Sequence, residues 1–355
     1  MNLLTLVVLK LCLLALCPQT LLASQVSSLY RVEVPVNSQA EVERQQAMNR
    51  GMAEVLVKVT GQRQVLSEPV VKTALRRATT YVRGFGYKRE DTEEGRQLLL
   101  DVSFDETAVT RLLRENRLGI WGQNRPATLA WLAVDKGGRR SILRSGVNVG
   151  VQLEMNRMFE LRALPLIFPL MDFEDEMSVS PVDIWGLFSD KLRSASQRYG
   201  SESVLGGRLT VSSSENGDRY SGRLVLMFRN QRYDAEITDL GSEGLSRAMA
   251  DLVGNTLSRH YGVTSGIQSE NPIMSVDGVL STRDYARVVS YLEGLTAVRN
   301  VSVRKLSGAR IELELSIDGT VSQLVDSIAL ERKLVRPSGD SNLPVNQLNY
   351  HWRGR

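Results

Sequence analysis

The residues best suited to chemistry are four carboxylates within five positions, Asp172, Glu174, Asp175 and Glu176. They follow residues 164–170, an apolar run typical of a buried strand. Ligands of open α/β sheets often bind beyond such strands, and clustered carboxylates can hold a hard cation or share a proton. Together with Asp183 they suggest a metal-dependent hydrolase or another envelope enzyme. A solvated acidic loop has the same composition, and the spacing of a calcium loop is absent.

Aromatic and basic side chains form a second candidate site. Trp121 and Arg125 lie in the loop 119–126, where they could anchor a glycan or a lipid. Trp185, close after Asp183, is a third aromatic candidate for ligand stacking. Packing in the core is the competing interpretation, because large aromatic side chains supply much of the buried area of a protein.

Other catalytic side chains are sparse. His260 and His351 are the two histidines, and neither has a second metal-type ligand at the usual spacing. Gly-x-Gly-x-x-Gly and Gly-x-x-x-x-Gly-Lys patterns, which cradle phosphates, do not occur. The sequence therefore predicts a protein that is not an enzyme and that uses no metal and no cofactor.

The N-terminal residues predict export. Residues 1–24 combine a lysine, Lys10, with an apolar run that contains both cysteines, Cys12 and Cys17. This pattern is typical of a signal peptide cleaved near Ala23 or Ser24, which would release the protein into the periplasm. An inner-membrane anchor is the alternative, and a lipoprotein attached through Cys17 is a third. After cleavage the chain would contain no cysteine and could form no disulfide.

Composition limits the class of protein and of partner. With 42% hydrophobic and 24% charged residues, the 355-residue chain resembles ordinary folded proteins, and its length suggests two or three domains. The formal charge of +4, from 44 basic and 40 acidic residues, gives no reason to expect nucleic acid as a partner.

The two ends of the chain show the same order of elements. Residues 25–126 form an N-terminal α+β module, with a strand at 29–36, helices, a hairpin and a further helix, and the apolar run 129–134 supplies a last strand. The first helix is predicted to bury one apolar stripe at three-four spacing, from Ala47 to Val59. Residues 272–355 repeat the order, with a helix capped by Ser281 and a last strand at 348–352. Both match the split βαβ order, βαββαβ, of ferredoxin-like modules.

A central α/β domain, residues 127–263, separates these modules, and residues 264–271 form a polar linker. The domain is predicted to contain a helix at 147–162, the acidic loop 172–176, a helix at 183–199 that ends at Gly200, and strands from Ser203. The predicted fold is thus mixed, α/β and α+β, with two ferredoxin-like modules around the central domain.

Several segments of the chain after the leader carry recognisable motifs: Leu29-Tyr30-x-Val32-Glu33-Val34-Pro35-Val36, Val55 to Gly61, Trp121-Gly122-x-x-Arg125-Pro126, Asp183-x-Trp185-Gly186 and Ala195-Ser196-x-Arg198-Tyr199-Gly200. They resemble a family of uncharacterised proteobacterial proteins, domain of unknown function 2066, and the resemblance covers most of the chain after the leader. It implies no known activity and no catalytic residues.

A shorter segment, residues 195–209, looks like the corresponding turn of periplasmic accessory proteins of the curli-secretion, lipoprotein-activator and flagellar-ring type. Those proteins bind other proteins, so the similarity implies a binding role. We therefore expect a non-enzymatic accessory or scaffold protein of the cell envelope. Its partners would be other envelope proteins, with peptidoglycan or anionic lipid as alternative ligands. No oligomeric state follows from the sequence.

Overall fold

The computed structural model describes residues 24–25, 29–92, 95–147, 150–215, 217–266, 271–337 and 347–354. The predicted signal peptide or membrane anchor rests on residues 1–23, which lie outside the described residues. Contacts divide the chain into two compact units. Unit 1 includes Pro126–Asn148 and Leu166–Gly241, and unit 2 includes Ala23–Arg125, Val149–Pro165 and Ser242–Arg355.

The described residues mix helices and strands, as the sequence predicts for an α+β chain. The helices are α1 Glu41–Thr60, α2 Pro69–Leu75, α3 Glu106–Glu115, α4 Gly150–Leu161, α5 Phe173–Ser178, α6 Pro181–Gly186, α7 Ser189–Ser196, α8 Ser242–Tyr261, α9 Thr282–Glu293 and α10 Val321–Glu331. None of these helices has both the length and the apolar composition needed to cross a membrane.

The strands form three larger sheets and one short pair. Their bounds are β1 Ser24–Gln25, β2 Arg31–Val36, β3 Val82–Thr92, β4 Gly95–Phe104, β5 Asn124–Arg125, β6 Thr128–Lys136, β7 Arg139–Ile142, β8 Leu166–Ile167, β9 Ser203–Ser214, β10 Gly217–Phe228, β11 Gln231–Leu240, β12 Ile273–Asp277, β13 Val298–Ser307, β14 Arg310–Ile317, β15 Leu334–Val335 and β16 Gln347–Trp352.

Unit 1 is organised around β6. This strand pairs in parallel with β9, and β7 and β8 share its other edge, in a sheet of order β11-β10-β9-β6-β7. Residues 128–134 are buried without interruption. The prediction that residues 129–134 close the N-terminal module is therefore wrong. A strand that is apolar on both faces is stabilised at the centre of a large sheet rather than at the edge of a small one.

The helices α6 and α7 pack on the unit 1 sheet. Ile184 and Leu192 lie with Trp131 in one apolar core, and the Trp131 indole donates a hydrogen bond to Ser196 Oγ at 2.9 Å. The single helix predicted at 183–199 is wrong, because Leu187 takes a left-handed conformation with φ 52° and separates α6 from α7. A leucine gives no sequence signal for such a break, since this region of φ favours glycine.

The N-terminal part of unit 2 is a three-stranded antiparallel sheet, β2-β4-β3, covered by α1. The stripe predicted on α1 is buried: Ala47, Met48, Gly51, Met52, Val55, Leu56 and Val59. At Gly51 an added Cβ would lie 2.9 Å from Val32 Cγ2, so this glycine allows the helix to approach the sheet closely. The elements follow the order βα(α)ββα, and the fourth strand predicted for this module is in unit 1 instead.

The C-terminal part of unit 2 is a five-stranded sheet of order β13-β14-β12-β16-β15. Strand β14 lies between β12 and β13, which is the split βαβ arrangement. Ser281 caps α9, as predicted, by accepting a hydrogen bond from Asp284 N. Residues 347–352 form the predicted last strand, parallel to β12. The sheet nevertheless exceeds the simple βαββαβ order, because β15 adds a fifth strand before the chain enters β16.

Two helices from the predicted central segment belong to unit 2. α4 packs against α8, and both are grouped with the terminal parts of the chain. Of the predicted linker 264–271, residues 267–270 lie outside the described residues. The predicted boundaries at 127 and 263 place α4 and α8 in the central domain, whereas their contacts group them with unit 2.

Candidate functional site

The acidic residues of unit 1 form the start of a helix rather than a loop. Asp172 is the N-cap of α5, and its side chain accepts a hydrogen bond from Asp175 N at 3.1 Å. Glu174, Asp175 and Glu176 fill the first turn, where negative charge is favourable because the helix N-terminus is electropositive. The predicted loop 172–176 is corrected to this capped helix.

Arg198 binds both aspartates of this helix. Its guanidinium pairs with Asp172 through two bonds, at 2.5 and 2.9 Å, and reaches Asp175 Oδ1 at 3.0 Å. The Arg198 hydrogen bond and the bond from Asp175 N lower the pKa of Asp172 to about 2. The Arg198 pKa is raised, chiefly by the bond to Asp172. Arg198 lies within one of the motifs described above, but no spacing in the sequence connects it with the acidic cluster.

Asp175 is the buried centre of this cluster. Its carboxylate accepts hydrogen bonds from Tyr199 OH at 2.5 Å and from Met171 N at 2.9 Å, in addition to the bond from Arg198. Burial, followed by the bond to Asp175, raises the pKa of Tyr199. Internal donors therefore occupy both oxygens of this carboxylate. Within the described ranges, no group of three or more His, Cys, Asp or Glu side chains is arranged to hold a metal ion.

Asp183 and Trp185 are each engaged within unit 1. Asp183 forms a capping box with Ser180, which donates from its amide at 2.8 Å and from its hydroxyl at 2.6 Å, and these bonds lower the pKa of Asp183. The guanidinium of Arg140 lies 4.2 Å from the centre of the half-buried Trp185 ring. The structure thus brings Asp172 and Asp175 together around Arg198, whereas the bonds of Asp183 are to Ser180.

Arg125, in unit 2, is fully buried and donates to backbone carbonyls instead of pairing with a carboxylate. Its five bonds, 2.5–3.3 Å long, end on the carbonyl oxygens of Lys58, Trp121, Gly122, Arg162 and Ala163. Several of these carbonyls close helices, Lys58 near the end of α1 and Arg162 and Ala163 just beyond α4. A cation is favourable there because helix C-termini carry partial negative charge.

The charge of Arg125 is retained despite its burial. Removal from water lowers its pKa to about 9, which still leaves the guanidinium protonated at neutral pH. A second buried arginine, Arg162, donates to Gly61 O at 3.1 Å and pairs with Asp251. Arg125 and Arg162 therefore both connect backbone segments of unit 2.

Trp121 is also part of the internal structure of unit 2. Arg125 lies 4.3 Å from its ring centre, and Tyr261 lies parallel to it with centres 6.2 Å apart. The residue is 1% exposed, so the ring offers no open face on which a ligand could stack. Gly61, with φ 72°, and Gly122 allow this packing: an added Cβ at Gly61 would lie 2.6 Å from Trp121, and one at Gly122 1.9 Å from Thr296 Oγ1.

The two histidines are both in unit 2. His260, near the end of α8, bonds Asp326 Oδ2 at 2.9 Å and lies edge-on to Tyr261. His351 lies beside Gly278, where an added Cβ would come within 2.8 Å of the imidazole. Each imidazole thus lies against neighbouring residues of unit 2.

A cavity of about 190 Å³ lies beside Trp121 within unit 2. Its lining comes from the segment 121–124, the C-terminal parts of α8, α9 and α10, and residues that follow them: Trp121, Gly122, Gln123, Asn124, Tyr261, Ser290, Tyr291, Gly294, Leu295, Thr296, Ser327, Glu331 and Lys333. Apart from Trp121 in its loop, none of these residues was predicted. Their positions in sequence are far apart, and no spacing rule connects them.

Two buried donors at this cavity lack protein partners. Trp121 Nε1 and Tyr291 OH have no hydrogen-bond partner among the described residues. Leaving such a group without a partner costs about 1–3 kcal/mol. The charged residues of the lining pair with each other: Lys333 Nζ lies 2.5 Å from Glu331 Oε2, and Asn124 donates to Glu331. The cavity therefore combines unused donors with charges that are already neutralised.

Unit 1 exposes a group of large apolar side chains around its acidic helix. Among the described residues of the segment 170–188, five such side chains are at least half exposed: Leu170, Phe173, Met177, Val182 and Phe188. Phe173 and Met177, exposed by 78% and 73%, are four residues apart and so share one face of α5. Apolar residues that interrupt the acidic run are the sequence signal for this group, and the prediction of an acidic loop did not include them.

Comparison with known proteins adds one finding. No curated protein matches the chain. A family model described as "Domain of unknown function (DUF8605)" matches residues 23–122, which is less than a third of the chain. The resemblance to domain of unknown function 2066 and the similarities to periplasmic accessory proteins stay predictions. Residues 23–122, which include the three-stranded sheet and α1, thus match a domain family of unknown function.

Proposed function

We propose that this chain is a non-enzymatic binding protein of the cell envelope that contacts a partner protein through the segment 170–188 of unit 1. The observation that carries the proposal is the concentration of five exposed apolar side chains in these 19 residues. Exposed apolar groups that gather in one region mark contact surfaces far more often than single scattered ones do.

The use of polar groups supports binding over catalysis. Internal hydrogen bonds engage Asp172 and Asp175 with Arg198, and Asp183 with Ser180. A catalytic base or a metal ligand needs an open lone pair directed at a substrate or ion. The competing proposal, a hydrolase centred on these three carboxylates, would require Arg198 to release Asp172 and Asp175 and Ser180 to release Asp183.

Charge indicates the chemistry of the partner. Residues 163–190 contain six acidic residues and no lysine or arginine. Arg198 pairs with Asp172, Glu174 and Asp175, which offsets one of these charges. Glu174 and Glu176 are exposed beside Phe173 and Met177. Negative charge around an apolar surface opposes binding to anionic lipid and favours a partner that carries basic residues around apolar ones. The proposed partner is therefore a protein segment with both apolar and basic side chains.

A photo-crosslinking experiment in cells tests this contact. A benzoylphenylalanine at Phe173 is expected to form one discrete crosslinked species, whose partner peptide is read by mass spectrometry. The double variant Phe173→Ser, Met177→Ser, with the crosslinker at Val182, should lose that species. Leu280→Ser with Leu306→Ser is the matched control, because both residues are exposed apolar side chains of unit 2.

Charge reversal separates a specific partner from nonspecific adhesion. Glu174→Lys with Glu176→Lys should reduce crosslinking, since the new charges repel a basic partner, whereas Glu293→Lys, an exposed acid in unit 2, should not. Unchanged crosslinking in the 174/176 variant would exclude the proposed partner chemistry. Sequencing of the N-terminus of the fractionated protein tests the export proposal, since an intact Met1 in the cytoplasm would contradict it.

A further inference from the structure

We infer that the cavity beside Trp121 is a binding site for a neutral, hydroxyl-rich molecule about the size of one sugar ring. The site is in unit 2, so the inference does not depend on the protein contact proposed for unit 1. It rests on three observations about the cavity: its unused donors, its neutralised charges and its size.

The unused donors indicate what the ligand must supply. Trp121 Nε1 and Tyr291 OH belong to residues that are 1% and 9% exposed, and both residues line the cavity. Neither group has a partner among the described residues. A molecule that fills the cavity and presents oxygen acceptors to both donors would complete their hydrogen bonding.

The charges indicate that the ligand is neutral. Glu331 and Lys333 are paired at 2.5 Å, and Asn124 donates to the same carboxylate. An anionic or cationic ligand needs a counter-charge that is not already used, and an amino acid would have to separate this pair. Hydroxyl groups can both donate and accept, and the lining offers further hydroxyls from Ser290, Ser327 and Thr296.

The size limits how much of a ligand the cavity can hold. A volume of about 190 Å³ holds roughly six water molecules at about 30 Å³ each. Sites for drug-sized ligands enclose about 300–1,000 Å³. The cavity therefore suits a single sugar ring, either a free monosaccharide or the end of a glycan.

Calorimetric titration of the full-length chain tests the site. The probes are glucose, galactose and N-acetylglucosamine as neutral sugars, alanine as a zwitterion and acetate as an anion. Saturable binding of at least one sugar, with an affinity that does not change between low and high salt, is expected. If no sugar binds, or if only alanine or acetate binds, the inference is wrong.

The variant Tyr291→Phe distinguishes a ligand contact from a structural role. Because no described residue bonds this hydroxyl, its removal should leave the melting temperature of the free protein unchanged or higher. Sugar affinity should fall roughly 2- to 12-fold, the loss expected for one hydrogen bond. Tyr285→Phe, on the same helix α9 but outside the cavity, should change neither quantity. A lower melting temperature for Tyr291→Phe, or unchanged affinity, would overturn the inference.

The indole N–H resonances give a second readout. In a sample with ¹⁵N-labelled tryptophan, sugar should shift the Trp121 signal and leave that of Trp131, which donates to Ser196, in place. Assignment uses Trp131→Phe, Trp185→Phe and Trp352→Phe, which identify three of the four indole signals and leave Trp121 as the fourth. Binding without a shift at Trp121 would place the sugar elsewhere and contradict the proposed site.

Discussion

At the scale of single residues, the charged side chains that looked most reactive are those that hold the backbone in place. Arg125 has five carbonyl partners and Asp175 has three donors, and both are fully buried. A buried charge with all its partners contributes to a unique structure because any change leaves several polar groups without partners. Such residues stand out in a sequence because, like many catalytic residues, they carry a charge.

Replacing Arg125 should destabilise unit 2 severely. Arg125→Met leaves five buried carbonyls without their donor, and bonds to a charged group contribute about 1.5–3 kcal/mol each, so the free energy of unfolding should fall by at least about 3 kcal/mol. Urea unfolding measures this loss. Arg140→Met, which removes the contact of a half-exposed guanidinium with Trp185 and its 3.2 Å surface pair with Asp135, should cost about 1 kcal/mol or less. Equal losses in the two variants would show that the carbonyl bonds contribute little.

Acid should weaken unit 1 through Asp172. Its folded pKa of about 2 is below the ordinary value of 3.8, so its contribution to stability is complete above about pH 4 and is lost as the pH falls toward 2. Arg198→Met removes the main cause of the lowered pKa. The wild type and this variant should therefore differ in urea midpoint at pH 7 and converge between about pH 4 and pH 2.

Lys191→Met is the control for this pH effect, because Lys191 is an exposed cation of α7 that makes no bond to Asp172 among the described contacts. A constant difference between Arg198→Met and the wild type over the whole range would contradict the assignment. Asp101 in unit 2, held at a pKa of about 2 chiefly by Arg31, gives the wild type a second acid-sensitive group, which both proteins retain.

At the scale of elements, close approach of backbone segments decides the packing around Trp121. Gly122→Ala would place a Cβ 1.9 Å from Thr296 Oγ1, and overpacking of this kind costs about 1–3 kcal/mol. Thr296→Ala removes the opposing hydroxyl and should recover much of the loss in the double variant. A double-mutant cycle measured by thermal unfolding checks the sign of this coupling. Additive losses would mean that the loop moves away instead of clashing.

Sequence patterns predicted elements well where one face of an element is buried. The apolar stripe of α1, the Ser281 cap and the last strand at 347–352 all follow from local spacing and are confirmed. The position of β6 could not be predicted in the same way. Its apolar run shows that β6 is buried but does not show which sheet buries it. In the sequence, three predicted elements separate β6 from β9.

The candidate site was predicted only in part, for a related reason. The sequence indicated Asp172, Asp175 and Trp121 correctly as unusual residues. It could not show that Arg198 pairs with Asp172 and Asp175, since a bond across 26 residues leaves no periodic signal. Likewise, Tyr291 and Lys333 reach the cavity of Trp121 only because α9 and α10 are folded against the segment 121–124.

At the scale of the whole molecule, unit 2 is assembled from segments that are distant in sequence. Ile120 and Val263 exchange two backbone hydrogen bonds of 2.9 Å, and the ring of Tyr261 lies parallel to that of Trp121. Tyr261 and Val263 both follow Gly241, the last residue of unit 1 in the sequence. The local structure at 118–122 therefore depends on residues that follow some 140 positions later.

Two truncated chains test this dependence. A chain that ends at Gly266 retains α8 and Val263, and its Ile120 amide should be protected from hydrogen exchange; a chain that ends at Gly241 should lose that protection. The amides of β4, which are bonded within the local sheet β2-β4-β3, should stay protected in both and show that the module is folded. Equal protection of Ile120 in the two chains would contradict the dependence.

The same long-range contact can form only late in biosynthesis. Tyr261 follows Arg125 by 136 residues, and at about 5–20 residues per second a ribosome makes that stretch in roughly 7 to 27 s. Early in this interval Trp121 and Arg125 are present without Tyr261, and Arg125 lacks two of its carbonyl partners, Arg162 and Ala163. A nascent chain halted in this interval would expose Trp121 and Arg125, which the finished fold buries. The loop 119–126 is therefore the segment that a chaperone would most need to shield.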